Sequence, residues 1–278
     1  MYKFLMSIFV ITLSLFAETE LHLTGSTTIQ PIFEELKPYF QKNFNLNLII
    51  EGGGSQKGVD LLSTNMTDIA MVSRNLTENE KEKYNFVTIG YDGLAIIIHK
   101  DNPIQKITTE QLKNIYNGKI TNYKELDPKF DEEILAISKM IGRGTLDIFE
   151  HYIQLQSPKT TNKKSNYPNI TDKAWEAGAN NDVIVWVAGV KNAIGFVSFG
   201  SIKTFDEFNI PIKLLPLDSI QPTNESIKNK TYPIVRELNL VYLKSNPNAE
   251  SFIKNLQIPI VMETIEKYNF IKADHENK

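Results

Sequence analysis

Three short runs of glycine and hydroxyl residues stand where an apolar segment gives way to a helical one: Gly25-Ser26-Thr27-Thr28, Gly52-Gly53-Gly54-Ser55 and Gly142-Arg143-Gly144-Thr145. A helix N-terminus presents backbone N–H groups without intrahelical partners and roughly half a positive charge. Glycine lets a ligand approach the main chain closely, and a hydroxyl adds a hydrogen bond of adjustable direction. Several such ends converging on one point would form a cage for a small oxyanion. Ser73-Arg74, which closes the apolar run Ile69-Ala70-Met71-Val72, adds a further hydroxyl and a cation.

The elements that must position these turns alternate in type. Leu21-His22-Leu23 reads as a strand, and Ile29, Ile32, Phe33, Leu36 and Phe40 follow helical spacing with Pro31 in the first turn. Leu46 to Ile50 reads as a second strand ended by the triple glycine. A helix then buries Val59 and Leu62, and Ile69 to Val72 reads as a third strand. This β-α-β-α-β succession predicts an α/β fold with a parallel sheet, in which ligands collect outside the carboxyl ends of the strands. Further on, Phe86 to Ile89 and Leu94 to Ile98 read as two strands separated by Tyr91-Asp92-Gly93. Thr108 with Gln111 forms a capping box for a helix stopped by Gly118. Ile134 to Ser138 is a strand leading into the third glycine turn, followed by a helix that carries Phe149, Tyr152 and Ile153. Val183 to Val190 reads as a helix, Ala193 to Phe199 and Val235 to Leu243 as strands, and Phe252, Leu256, Ile260 and Met262 as one face of a terminal helix. Residues 157–172 and 218–230 are polar and read as surface loops.

Lys3 followed by the apolar run Phe4 to Phe16 and the small Ala17 is the pattern of a secretory signal peptide over residues 1–17, the alternative being a permanent N-terminal anchor. An exported product in a periplasm is the expectation. The chain has no cysteine, which excludes disulfides and thiolate metal sites. Its net charge of −3 gives no sign of a nucleic-acid partner. The enzyme readings find little to stand on. Gly53 to Gly58 lacks the Gly-Lys-Ser/Thr ending of a phosphate-binding loop, and no Gly-x-Ser-x-Gly elbow occurs. His22, His99, His151 and His275 have no metal-ligand spacing, so neither metal nor cofactor is expected. Trp175 and Trp186 read as packing residues.

Eight runs in order carry a family likeness: Leu23 to Pro31, Glu51 to Ser55, Asp68 to Arg74, Tyr91 to Ala95, Leu112 to Tyr123, Gly142 to Thr145, Ala193 to Ser198 and Tyr232 to Arg236. Together they resemble the phosphate-binding proteins of bacterial phosphate ABC importers, which are type II periplasmic binding proteins. The resemblance implies two lobes with a hinge near Tyr91 and Tyr232: residues 18–93 with 232–278 in one, residues 94–231 in the other. It further implies that Thr27, Thr28, Ser55 and Ser73 bind phosphate oxygens from the first lobe and that Gly144 and Thr145 supply amides from the second.

Three positions depart from the family pattern. Lys139 stands where many members carry Arg, Arg143 where they carry Ser, and Ser73 where some place an Asp that accepts the phosphate proton. Lys139 and Arg143 are then the cations that neutralise the anion, Arg143 restoring a bidentate contact. A hydroxyl at Ser73 can reorient and donate, which weakens discrimination against a fully deprotonated anion. The implied function is a monomeric, non-enzymatic receptor that captures inorganic phosphate and passes it to a membrane permease. The alternatives are a receptor for sulfate, molybdate or tungstate, and a secreted phosphatase.

Overall fold

The computed structural model describes residues 19–206 and 208–273; the expected signal segment 1–17 and His275 lie outside the described residues. The chain opens with β1 (Thr19–Gly25), α1 (Gln30–Phe44), β2 (Leu46–Glu51), α2 (Ser55–Ser63) and β3 (Ile69–Val72). β1 is central, with β2 and β3 paired in parallel on its two sides. The carboxyl ends of all three strands, and the turns that follow them, therefore lie along one edge. Ile32, Phe33, Leu36 and Phe40 line the buried face of α1 and pack with Leu21, Leu23 and Leu48 of the sheet. Pro31 falls in the first turn of α1, where a missing N–H breaks no intrahelical bond. Gly25 takes a φ of 136°, and a Cβ there would lie 2.4 Å from the Met71 carbonyl oxygen, so the first turn is closed to any other residue.

α3 (Glu78–Lys83) is a short helix without apolar periodicity, started by a capping box between Thr77 and Glu80. β4 (Asn85–His99) is one continuous strand where the sequence predicts two. The polar Tyr91-Asp92-Gly93 interrupts the apolar pattern but not the ladder, because Asp92 lies opposite Arg236 of a later strand. α4 (Thr109–Tyr116) starts at the expected Thr108–Gln111 capping box, and Gly118 follows it with a φ of 79°.

The second α/β block comprises β5 (Leu135–Lys139), α5 (Gly144–Ile153), β6 (Trp175–Ala177), α6 (Asn180–Gly189), β7 (Ala193–Ser198), α7 (Phe199–Asp206) and β8 (Ile212–Leu215). α6 begins three residues before the apolar run that marks it in the sequence. The polar stretch 218–230 contains a helix, α8 (Asn224–Lys228), capped by Thr223. The chain then returns through β9 (Val235–Tyr242), α9 (Pro247–Lys254), α10 (Pro259–Lys267) and β10 (Ile271–Lys272). The expected single terminal helix is thus two, because Pro259 has no N–H to continue the first and fits the start of the second. Trp175 packs edge-on against Trp186 at 5.6 Å between centroids but remains 49% exposed, so its packing role is partial.

The main strand path runs β2-β1-β3-β9-β4-β7-β5-β6. β4 changes partner along its length: Asn85 to Gly93 pair with β9, and Leu94 to Ile98 pair with β7. One core surrounds the β1 end of the path, built from Phe33, Phe40, Leu240, Phe252 and their neighbours. Another lies at the β7 end around Tyr116, Phe149 and Phe196. β4 and β9 carry the chain between these two lobes, and the three glycine turns face one another across the gap.

Candidate functional site

Each turn is shaped by its own sequence. In the first, Ser26 Oγ accepts from the amides of Thr28 (3.1 Å) and Ile29 (3.3 Å) and so holds the turn that leads into α1. In the second, Gly54 precedes α2 with a φ of 107°. In the third, Arg143 precedes α5 and its side chain makes no capping bond. The first-turn amides of Gly144 and Thr145 have no acceptor among the described residues, as expected for the opening of a helix.

The lobes meet at these turns. The Gln56 amide of α2 donates to the Gly142 carbonyl at 3.2 Å, and a Cβ on Gly144 would lie 2.5 Å from Ser55 Oγ and 2.8 Å from the Ser73 carbonyl. Gly54 leaves space on the first lobe for the Arg143 side chain, whose Cδ would be 3.1 Å from a Cβ placed there. Glycine at 54 and 144 therefore permits an approach that no side chain would allow.

At the centre is Arg236, whose side chain has no solvent exposure. Its guanidinium donates to the Ser73 carbonyl (3.0 Å), Thr145 Oγ1 (2.9 Å) and Thr28 Oγ1 (3.2 Å), and pairs with Asp92 at 2.7 Å. One cation of the connecting strand β9 thus touches hydroxyls from both lobes. Ser26 Oγ donates to Ser73 Oγ at 2.8 Å, and Ser55 Oγ accepts from the Ser73 amide at 3.1 Å. Lys139, 2% exposed, donates to the Ala179 carbonyl (2.8 Å) and to Asn180 Oδ1 (3.1 Å). Asn180 in turn reaches across the cleft to Thr28 Oγ1 at 3.3 Å.

Burial, assisted by the neighbouring charges of Arg236 and Arg143, holds the Lys139 ammonium well below the usual lysine range, while Asp182 opposes the shift. Asp182 also accepts from the Gly178 and Ala179 amides at 3.0 and 2.8 Å. The Arg143 side chain has no hydrogen-bond or ion-pair partner among the described residues, while its carbonyl accepts from the Leu146 and Asp147 amides. With Arg236 matched by Asp92, the Arg143 guanidinium is left as a cation at the cleft that an anion could neutralise.

Thr28, Ser55, Ser73, Lys139, Gly144 and Thr145, all singled out in the sequence, come together in this cluster and are all buried. Thr27 lies at its edge, half-buried, with Thr28 on the wall of an adjoining cavity. The Thr28 amide is already bonded to Ser26 rather than free, which leaves its hydroxyl as the polar group facing the cluster. Arg74 is turned away: it forms a bidentate pair with Glu80 (2.8 and 2.7 Å) and reaches Asp147 at 3.2 Å.

Sequence reasoning missed Arg236, Asp92 and Asn180, and it named Ser26 only as a member of the first glycine run. Arg236 and Asp92 lie inside motifs that carry the family likeness, and a charge within an apolar strand pattern was the available signal. Among the described residues no group of histidine and carboxylate side chains could hold a metal ion. None of His22, His99 and His151 hydrogen-bonds to the cluster.

Comparison with known proteins locates this arrangement. The profile of the PBP superfamily domain matches residues 14–256. The phosphate-binding protein PstS of Staphylococcus saprophyticus is 30% identical over 258 residues, which covers 85% of this chain and 75% of that protein. A solved phosphate ABC transporter substrate-binding protein with bound phosphate, from Clostridium perfringens, is similar with a TM-score of 0.80 at 29% identity, over 92% of this chain and 100% of that one. An ABC-type phosphate transport receptor from Vibrio cholerae gives a TM-score of 0.74 at 28% identity, over 91% and 100%.

Proposed function

Because the chain belongs to the PBP superfamily and, within it, to the family of PstS phosphate-binding proteins, we propose that it captures inorganic phosphate between its lobes and delivers it to a membrane ABC permease. The observation that carries this reading is the Arg236 guanidinium, buried between hydroxyls of the two lobes and beside the N-termini of α1 and α5. Lobe one takes residues 18–93 and 232–278, lobe two residues 94–231. Phosphate docks on the turns of the first lobe through Thr27, Thr28, Ser55 and Ser73. Closure about β4 and β9 then brings up Gly144, Thr145, Arg143 and Lys139. Closure excludes water, which strengthens each charge-assisted hydrogen bond. The ligand stabilises the closed form, and that form is what the permease reads.

No covalent step is involved, and the protein acts as an exported monomer after cleavage behind Ala17. Among the described residues no helix is long and apolar enough to cross a membrane. Mass analysis of the exported protein tests the cleavage; an N-terminus other than Glu18 would move or remove the site.

A second oxyanion is favoured by one feature, the Ser73 hydroxyl. It accepts from Ser26 and can equally donate, so it does not repel a fully deprotonated anion as a carboxylate would. Calorimetric titration with phosphate, sulfate, molybdate and tungstate separates the readings. Tightest binding of phosphate is expected, and a preference for another anion overturns the assignment. Arg143→Ala is expected to lower phosphate affinity by roughly 10- to 100-fold, the range of one charge-assisted hydrogen bond. Unchanged affinity would remove Arg143 from the site.

A further inference from the structure

The anion cluster does not fill the cleft. Beside it lies a cavity of about 340 Å³, walled on the first lobe by Thr28, Gln30, Tyr268 and Phe270 and on the second by Asn180, Asn181 and Ser201. Thr28 and Asn180 belong to both spaces. Thr28 Oγ1 accepts from Arg236 at 3.2 Å, and Asn180 Oδ1 accepts from Lys139 at 3.1 Å. Their own contact, from Asn180 Nδ2 to Thr28 Oγ1, is a long 3.3 Å and is the polar bridge that a ligand spanning the two spaces has to part.

A cavity of this size lies at the small end of the range that holds organic ligands, about 300–1,000 Å³. It equals roughly ten water molecules at about 30 Å³ each. An inorganic anion held by the cluster makes no use of it. Its chemistry is also distinct from the cluster's, since none of the described side chains that wall it is charged. Gln30 and Asn181 offer amides, Ser201 a hydroxyl, and Pro31, Phe270 and the Tyr268 ring apolar faces. Such a wall suits a neutral, hydroxylated group of a few carbons. An ionised substituent would lose water there without a counter-charge.

The cluster side agrees. A phosphomonoester dianion brings only acceptor oxygens, and Ser73 offers a hydroxyl able to donate to them where a carboxylate would repel. From the shared wall, the uncharged cavity and Ser73, we propose that this protein also binds small phosphomonoesters with an uncharged hydroxylated substituent, the phosphoryl group in the Arg236 cluster and the substituent in the cavity. This rests on the phosphate reading above and extends its ligand class.

The test is calorimetry of the full mature chain with inorganic phosphate and with glycerol 2-phosphate, repeated for Asn181→Trp and Gln30→Trp, which fill the cavity from opposite walls. The ester is expected to bind the unaltered protein and to be displaced by phosphate. Each tryptophan is expected to lower ester affinity at least tenfold while phosphate affinity stays within twofold, which also certifies the folded site. Phosphate binding without ester binding overturns the proposal and leaves the phosphate reading standing, as does ester affinity unaltered in both variants. Loss of both ligands in both variants would mean that the cavity is no separate subsite, and overturns it too. Failure of the unaltered protein to bind either ligand removes the phosphate reading as well.

Discussion

Arg236 faces Asp92 directly across the antiparallel β4–β9 ladder, and its Nε and Nη2 donate to one and the same carboxylate oxygen at 3.0 and 2.7 Å. The other Asp92 oxygen accepts from the Gly200 amide at 3.2 Å, so both ends of the carboxylate are engaged. Neither side chain is exposed. The pair sits on the strands that join the lobes, and it leaves Nη1 aimed at Ser73 and Thr145 on opposite sides of the cleft. The connection between the lobes and the centre of the ligand cluster are therefore one ion pair.

Removing one partner of such a pair strands a buried charge, at a cost of about 3–5 kcal/mol. Arg236→Met alone is expected to lose that much stability in urea unfolding without ligand. The double variant Arg236→Met with Asp92→Leu should recover most of it, because two apolar groups of similar size need no counter-charge. It should still fail to bind phosphate tightly. A double variant that binds as well as the unaltered protein would reduce the pair to a packing feature.

Arg74 and Asp147 form a second link between lobes, at 3.2 Å, with Arg74 braced by Glu80. Burial alone would lower the Arg74 pKa; Glu80 and Asp147 outweigh it and raise it above the ordinary value. Asp147 keeps 37% of its side chain exposed, so solvent limits what the link contributes to closure. Asp147→Asn is expected to weaken phosphate binding about two- to fivefold, mostly through faster release, as stopped-flow displacement would show. A slower on-rate with unchanged release would place Asp147 in encounter instead of closure.

Gly144→Ala tests the approach of the lobes by shape alone. Its methyl group would meet Ser55 Oγ at 2.5 Å and the Ser73 carbonyl at 2.8 Å, and the latter is backbone that cannot swing aside. Phosphate affinity should fall by tenfold or more, with unfolding in the absence of ligand little changed and small-angle scattering showing an expanded form at saturating phosphate. Full closure in that variant would mean that the second and third turns adjust more than their contacts suggest.

Lys139 gives a pH dependence with a definite sign. Burial depresses its pKa when the cleft holds no anion, and a bound anion restores the charged form. Binding then takes up a proton above the depressed pKa, so affinity declines as pH rises through it. Lys139→Arg keeps its charge throughout. The ratio of phosphate affinities, unaltered protein over variant, cancels the titration of phosphate itself and should fall toward alkaline pH. A flat ratio would show that Lys139 stays charged or lies outside the reach of the ligand.

Much of this protein is legible along the chain because the signals are local. Apolar periodicity marks α1 and the strands β1 to β3, the Thr108–Gln111 pair marks the start of α4, and glycine with hydroxyls marks the turns after β1, β2 and β5. Parallel pairing follows from that order, since a strand, a covering helix and a second strand can close only one way. What the sequence withheld are relationships between distant positions. Asp92 and Arg236 are 144 residues apart, and Thr28 and Asn180 are 152 apart. Each looks like a polar residue at a strand or helix end until the strand crossing and the meeting of the lobes give it a partner. Arg74 and Arg143 show the same limit from the other side. Both are arginines beside a turn, yet one is consumed by Glu80 and Asp147 while the other has no ion-pair partner among the described residues. Residue type and spacing determine which groups are available, because caps, turns and periodicity act over a few residues. Only the folded chain decides which of those charges neutralise each other, because Coulomb energy and hydrogen bonding depend on separations in space that the order of residues does not contain.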